Sequence, residues 1–226
     1  MTTTYWANSI KKLTQRESAR QKFGMYIGDN GNRWFHHLLY EILSNSIDEM
    51  MNGYGDKIIV RLLDKNTIEV EDFGRWIPFW KNKDWEEVLQ MIFSTLHAGW
   101  KMDNTNTGSG YKISWGTNGV GTSIVNFLST DLYIRVKKEG QVAELKFHNS
   151  ETDWLKIVGK CNKWESGTLV RFSPDLSIFP SMKWFDEEYI KKLLHDQAIL
   201  QKSHFIFENT MTNEVFEFSN AHWIKQ

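Results

Sequence analysis

"RWFHHLLYEILSNSIDEMMNG", residues 33–53, carries the clearest secondary-structure pattern in this sequence. Its apolar residues recur at the spacing of a helix that turns about 100° per residue. One face of that helix consists of Leu39, Leu43, Ile47 and Met50. Gly53 supplies a natural C-terminal stop. The pattern therefore predicts one long helix with its apolar face in the core.

The opposite face of this helix is acidic. Glu41, Asn45 and Asp48 fall within roughly 60° of one another, and Glu49 lies just beside them. A solvated face is the simpler interpretation. Against it, Asn45 is a poor helix former, and the carboxylates lack the lysines four residues further on that would form stabilising pairs. A carboxylate that activates water, one turn from an amide that can ligate Mg²⁺, suits a hydrolytic site.

Around this helix the chain mixes strands and helices without strict alternation. Hairpins are expected at 56–64 with 66–72, at 131–149 with its turn at Glu139–Gly140, and at 203–209 with 214–219, and further strands at 154–160 and 167–173. Helices are expected over 9–22, stopped near Gly24, and over 84–99, 119–129 and 186–200. Residues 101–117 lack periodicity and indicate a loop. This mixture predicts an α+β fold.

Composition excludes several classes of protein. The 226 residues are 41% hydrophobic and 24% charged, as in an ordinary globular domain. The formal net charge of -1 leaves no basic surplus to grip nucleic acid. The single cysteine, Cys161, excludes an internal disulfide and a Cys-rich zinc site. Without a signal peptide or a long apolar run, we expect a cytoplasmic protein with no membrane contact.

Two short segments have the character of a binding site. In "EDFGRWIP" (71–78), Asp72 ends a strand and Gly74 turns the backbone, so that an acceptor is exposed for an exocyclic amine such as that of adenine. Taken alone, Asp-x-Gly is also a common turn. In "GTNGVGTS" (116–123), glycines lead into a helix and free backbone N–H groups for an anion, although a merely flexible loop would read the same way.

The order of these motifs along the chain is similar to that of a known protein family. The segments "GMYIGD", "HHLLYEILSNSIDE", "VEDFGRWIP", "LHAGWKMDN", "YKISWGTNGVGTSIVNFLS" and "GTLVRFSPD" resemble the N-terminal ATPase domain of the B subunits of bacterial-type type II topoisomerases. The similarity runs from about Gly24 to the C-terminus. It implies the GHKL, or Bergerat, fold, which is a mixed, mainly antiparallel sheet covered on one face by helices. Residues 1–226 would form one such domain, with an N-terminal arm and helix at 1–23 and an ATP lid at 97–118.

The resemblance also implies a role for each matching position, with ATP and Mg²⁺ as cofactors. Glu41 would be the general base, Asn45 would ligate Mg²⁺, and Asp48 and Glu49 would support the site. Asp72 would accept from the adenine amino group, and Thr168 would reach the base through water. The turn residues Gly74, Arg75, Ile77 and Pro78 would flank the base. The phosphates would be held by Lys101, Gly116, Asn118, Gly119, Val120 and Gly121.

Implied partners are a second copy of the same subunit, a topoisomerase A-type subunit, and DNA through the full-length assembly. The family's transducer and DNA-cleaving domains have no counterpart here, so we expect a domain or fragment. Phe73, Ser44 and Asn118 stand where the family has Asn, Asp and usually His. Two alternatives stay open, namely a hydrolysis-deficient nucleotide-binding interaction module and another GHKL ATPase of the chaperone or mismatch-repair type.

Tryptophan is unexpectedly frequent, with 11 residues against 15 glycines. Five tryptophans stand where the family has glycine, and these are Trp34, Trp76, Trp100, Trp115 and Trp223. Independent drift would scatter tryptophan over many residue types. We hypothesise that the gene uses UGA for glycine and that the codon is read here as tryptophan. The alternative is a truly diverged protein, which could also be inactive, and UGG codons at the five positions would show that the misreading hypothesis is wrong.

An indole at 76 or 115 would crowd backbone that has to approach a nucleotide closely. We therefore expect the chain with these tryptophans to bind Mg-ATP weakly or not at all, and the chain with glycine restored at the five positions to bind it well. Isothermal titration calorimetry of the two proteins makes the comparison. Equally tight binding would contradict the expectation.

Overall fold

The strands form from the runs of β-branched and aromatic residues. In this computed structural model, the residues described are 13–27, 32–75, 77, 85–96, 120–179, 184–219 and 223–225, with backbone alone at 26, 27, 32–34, 85–87 and 223–225. The strands are β1 (Ile58–Leu62), β2 (Ile68–Asp72), β3 (Ser129–Lys138), β4 (Gln141–His148), β5 (Glu151–Lys160), β6 (Gly167–Pro174), β7 (Phe205–Asn209), β8 (Glu214–Phe218) and β9 (Trp223–Lys225).

All nine strands belong to one sheet, in the order β5-β4-β3-β6-β2-β1-β7-β8-β9. Every pairing is antiparallel except that of β1 with β7, which is parallel. The predicted turn between β3 and β4 has positive φ at both Glu139 and Gly140, as a tight hairpin with the twist of its strands requires. The α+β class and the mixed, mainly antiparallel sheet are confirmed.

The helices are α1 (Gln15–Gln21), α2 (Phe23–Ile27), α3 (Asn32–Met51), α4 (Trp85–Ser94), α5 (Gly121–Phe127) and α6 (Glu187–Gln201). The helix expected to stop near Gly24 ends at Gln21 with Lys22 as its C-cap, and Gly24 itself lies inside the next helix, α2. The strand expected from 154 begins at Glu151, and the sequence pattern does not predict β9. Across the described residues, no helix is long and apolar enough to cross a membrane.

Alternation along the strands gives the sheet two chemically different faces. Val70, Ile134, Val170 and Phe207 are fully buried in the core on the face that α3 and α5 cover. On the other face, Arg61 donates to Glu69, Glu71 and Glu208 at 2.9, 2.7 and 2.7 Å. Burial acts to lower the pKa of Arg61, but these hydrogen bonds outweigh it and raise the pKa. Paired charges thus stabilise the second face beside the buried side chains of Ile59 and Leu169.

Helix α3 is the centre of the core. Its side chains Phe35, Leu38, Leu39, Ile42 and Leu43 are buried in the apolar cluster. On the polar face Asp48 and Glu49 are buried as well, whereas Glu41 and Asn45 are partly exposed. At the start of α3, the Nε2 atom of His36 accepts a hydrogen bond from the backbone N–H of Asp186 at 2.8 Å, which ties α3 to the beginning of α6. The apolar face of α3 is therefore internal, whereas its polar face is buried only toward the C-terminal end of the helix.

The N-cap of α6 can be tested by substitution. The carboxylate of Asp186 accepts from the N–H groups of Glu188 and Tyr189 at 3.0 and 3.2 Å. Asp186→Ala is expected to lower the free energy of unfolding by about 1 kcal/mol, because both donors lose their acceptor. Asp186→Asn is the matched control and should retain nearly all of the parental free energy of unfolding, since asparagine caps as well as aspartate. Urea denaturation measures the three proteins, and equal losses in both variants would contradict a capping role.

Candidate functional site

The carboxylate of Asp72 lies at the end of β2, where the sheet meets α3, and is 3% exposed. Its Oδ2 accepts from the Ser46 hydroxyl at 2.8 Å, and its Oδ1 accepts from the backbone N–H of Gly74 at 2.9 Å. A buried carboxylate without such donors would be strongly destabilising. Asp72 is therefore a fixed, preoriented acceptor.

The turn after Asp72 is held by a second buried carboxylate, that of Glu49. Glu49 Oε2 accepts from the backbone N–H of Arg75 at 2.6 Å, and the Arg75 Nε lies 3.9 Å from the same oxygen. The Arg75 guanidinium lies over the Tyr54 ring, 3.0 Å from its centroid. A Cβ on Gly74 would lie 2.5 Å from the Cβ of Glu49, so only glycine fits there. Glu49 thus fixes the backbone conformation of this turn.

The far side of this turn is held by Lys138 at the end of β3. Its Nζ donates to the carbonyl oxygens of Arg75 and Ile77, both at 3.3 Å. Ile77 is itself buried in the core. Burial lowers the pKa of Lys138 from its ordinary value, and the charge of Arg75 lowers it further, while Glu139 and Glu49 oppose the change. The backbone around residue 75 is consequently fixed from both sides.

Glu41 lies about one and a half turns before Ser46 on α3, and its carboxylate is 26% exposed. Oε1 lies 2.9 Å from the Nε2 of His37, one turn earlier on the same helix. Oε2 lies so close to the backbone of Gly121 that a Cβ at position 121 would collide with it. The structure therefore brings Glu41 against the first residue of α5, which follows the glycine-rich segment.

Asn45 lies beside Glu41, and its Nδ2 donates to the Glu41 carbonyl at 3.0 Å. This bond uses the amide nitrogen and orients the amide oxygen, the atom suited to Mg²⁺. Burial raises the pKa of Tyr40 nearby, and the charges of Glu41 and Asp48 raise it further, which indicates a negative local potential. Among the residues described, no group of three or more His, Cys, Asp or Glu side chains could hold a metal ion. A cation here would depend on ligands brought by a bound phosphate, a pattern that Mg²⁺ commonly follows.

Thr168 faces Asp72 directly. The two residues are partners in the register of β2 and β6, and each is 3% exposed. A Cβ on the preceding Gly167 would collide with the Asp72 carbonyl oxygen, so glycine permits this close approach. One shallow pocket is lined by Glu71, Asp72, Phe73, Arg135, Lys137, Ser166, Gly167, Thr168 and Leu169. The two residues that the sequence assigned separately are thus adjacent in space.

Several positions named from the sequence lie outside the described residues. They are Pro78, Lys101, Gly116, Asn118 and Gly119, and the tryptophans at 76, 100 and 115, together with the side chains of Trp34 and Trp223. Val120, the residue before α5, is described and partly buried against the core.

The structure adds four side chains that the sequence patterns did not indicate. They are His37, Ser46, Tyr54 and Lys138. His37 precedes Glu41 by four residues, and that spacing alone could have identified it. Ser46 and Lys138 contact partners 26 and more than 60 residues away, so no local signal marks them.

Comparison with known proteins gives a consistent result. No family model matches the chain. The B subunit of DNA topoisomerase 4 from Staphylococcus aureus, in strains MW2 and N315 alike, is 37% identical over 199 residues, which is 88% of this chain and 29% of the relative. The crystal structure of the 43K ATPase domain of Thermus thermophilus gyrase B in complex with an aminocoumarin superposes with a TM-score of 0.76 at 31% identity, covering 91% of this chain and 51% of that one.

The chain spans under a third of the length of the curated relatives that it matches. The identity extends over nearly all of it, and the solved structure has the same fold. The chain is therefore homologous to the B subunits of bacterial type II DNA topoisomerases, over a stretch that matches the ATPase domain of gyrase B.

Proposed function

We propose that this chain is the ATP-binding and ATP-hydrolysing domain of a type II DNA topoisomerase B subunit. The observation that carries the proposal is the contact between the Glu41 carboxylate and the backbone of Gly121. It joins a candidate base on α3 to the end of the glycine-rich segment 116–121. The domain would comprise residues 1–226, with an arm at 1–23 and a lid at 97–118.

Asp72 is proposed to recognise the adenine amino group. Ser46 and Gly74 hold its carboxylate in one orientation before any ligand arrives, so the entropic cost of ordering the acceptor is already met. Thr168 lies opposite and is suited to contact the base through a water molecule. Gly74, Arg75, Ile77 and Pro78 would form the wall beside the base, and the support from Glu49 and Lys138 keeps the described part of that wall in place.

Glu41 is proposed as the general base. It would accept a proton from the water that attacks the terminal phosphorus, while His37 holds the other carboxylate oxygen. A bound Mg²⁺ would neutralise developing charge on the phosphates, and Asn45 is the residue proposed to ligate it, with Asp48 close on the same face. Lys101, Gly116, Asn118, Gly119, Val120 and Gly121 are proposed to hold the phosphates.

A binding module without hydrolysis is the weaker alternative. The substitution of Phe73 for asparagine was its main support apart from the tryptophans. The described contacts of Phe73 are with Lys57, whose Nζ lies 5.4 Å from the ring centroid, and with Ser166, whose hydroxyl donates to the Phe73 carbonyl. Neither contact involves Ser46, Glu41 or Asp72, so this substitution gives no reason to exclude catalysis.

The proposed partners belong to the whole protein of which such a domain is a part. A second copy would form an ATP-dependent dimer, an A-type subunit would cleave DNA, and DNA would be held by other parts of the assembly. The net charge of -1 agrees with a domain that supplies nucleotide chemistry rather than DNA affinity. Cytoplasmic location is proposed on the same basis, because chromosomal DNA is the substrate of these enzymes.

Adenine recognition is tested by Asp72→Asn. The substitution replaces one carboxylate oxygen by an amide donor and removes the charge, so the affinity for a non-hydrolysable ATP analogue should fall about 10–100-fold, the range for a hydrogen bond to a charged group. Titration calorimetry on the glycine-restored chain measures it. Glu208→Gln on β7 is the matched control and should leave the affinity unchanged, because Glu208 pairs with Arg61 on the other face of the sheet. Unchanged affinity in Asp72→Asn would remove Asp72 from the site.

Catalysis is tested by Glu41→Gln. Glutamine keeps the shape and the helix propensity, so nucleotide binding should survive, while hydrolysis should fall on the order of 10²–10⁴-fold. Steady-state ATPase rates are measured on the glycine-restored domain joined to the domain that follows it in its relatives. The exposed Glu188→Gln on α6 is the control for a lost carboxylate and should hydrolyse ATP at the parental rate. A parental rate in Glu41→Gln would end the assignment of Glu41 as the base.

A further inference from the structure

Helix α5 is a short element whose C-terminal end is held by donors from three other parts of the fold. The Phe127 carbonyl accepts from Arg20 Nη1 at 3.1 Å, the Leu128 carbonyl accepts from the N–H of Asp175 at 2.8 Å, and the Asn126 carbonyl accepts from the Ser150 hydroxyl at 3.0 Å. These are carbonyls that an α-helix leaves unsatisfied at its end. Their partners therefore fix where α5 stops.

Arg20, on α1, is the charged member of this set. Its Nη2 forms a close ion pair with the carboxylate of Asp175, and the two side chains are 21% and 17% exposed. A cation at the C-terminal end of a helix also meets the negative end of the helix dipole. Ser177 donates to the same Asp175 carboxylate through its N–H and its hydroxyl, so the counter-ion is itself immobile. Arg20 is thus anchored to a rigid point while it holds α5.

The opposite end of α5 lies at the candidate active site. The helix has seven residues and is about 10 Å long, so a displacement of its C-terminal end along the axis reaches its first residue almost undiminished. That first residue is Gly121, whose backbone touches the Glu41 carboxylate. Along its side, α5 contacts α4 through Thr122, which donates to the Ile92 carbonyl, and Asn126, which donates to the Phe93 carbonyl.

Two more side chains of α1 contact the same assembly. Gln15 accepts from the N–H of Leu96, the last described residue before the segment 97–118, at 3.1 Å. Arg16 donates to the Ser150 hydroxyl at 3.2 Å, and that hydroxyl in turn holds Asn126. Helix α1 therefore contacts the ends of both helices that flank the glycine-rich segment.

We propose that Arg20 is a positioning residue, which with Asp175 fixes α5 along its axis and so sets the approach of Gly121 to Glu41. The inference rests on the proposed function for its catalytic meaning, but its structural part stands on the contacts alone.

The structural part is tested by amide hydrogen exchange in the chain as it stands. Arg20→Met should accelerate exchange of the α5 amides about tenfold or more, because the Phe127 carbonyl loses its donor and Asp175 loses its cation. Arg20→Lys keeps the charge and should restore part of the protection. Arg171→Met is the matched control, since Arg171 holds Glu69 by two hydrogen bonds on the other face of the sheet, away from α5. Equal protection of α5 in Arg20→Met and in the parent would overturn the proposal.

The positioning role is tested by nucleotide affinity in the chain and in its glycine-restored version. Arg20→Met should weaken a non-hydrolysable ATP analogue about tenfold and leave adenosine, which lacks phosphates, unchanged, whereas Arg171→Met should change neither. A general loss of structure would weaken both ligands, and that result would overturn the positioning role. If neither version of the parent binds nucleotide, the proposed function fails while the exchange experiment still decides the role of Arg20.

Discussion

The buried carboxylate of Asp72 is the interaction on which the arrangement of this fold depends. It lies where β2 ends and α3 passes, and an unpaired charge there would cost several kcal/mol. Ser46 from the helix and Gly74 from the turn supply the two donors, so the same carboxylate fixes the distance between the layers and the path of the chain after the strand.

Three glycines allow close approaches between chain segments near the buried carboxylates. Gly74, Gly121 and Gly167 each lie where a Cβ would meet Glu49, Glu41 or the Asp72 carbonyl. At Gly74 and Gly121 backbone approaches a side chain of α3, whereas at Gly167 the backbone of β6 approaches the backbone of β2. A side chain at position 74 would push the turn away from α3 and one at position 167 would push β6 away from β2, whereas at position 121 the Glu41 carboxylate would have to move aside.

The two faces of the sheet are stabilised by different interactions. The face under the helices is held by aliphatic and aromatic burial, whereas the other face is held by a ladder of ion pairs that runs through Arg61, Glu69 and Arg171. Glu69 is only 3% exposed because two guanidinium groups cover it. Paired charges on neighbouring strands fix the register without an apolar surface that would need another layer.

The α+β class, the long helix α3 and most of the strands could be predicted from the amino-acid sequence, because alternation, helical periodicity and turn residues are local signals. The sequence also predicted that Glu41 and Asn45 share a face, which follows from helical spacing alone. It could not place β9, whose three residues carry too short a pattern, nor the roles of Ser46 and Lys138, which depend on distant partners. Three contacts could be found only in the folded structure: Glu49 supports the turn at Arg75, Thr168 lies opposite Asp72, and Arg20 holds the end of α5. They could not be predicted because burial and long-range pairing are properties of the folded chain.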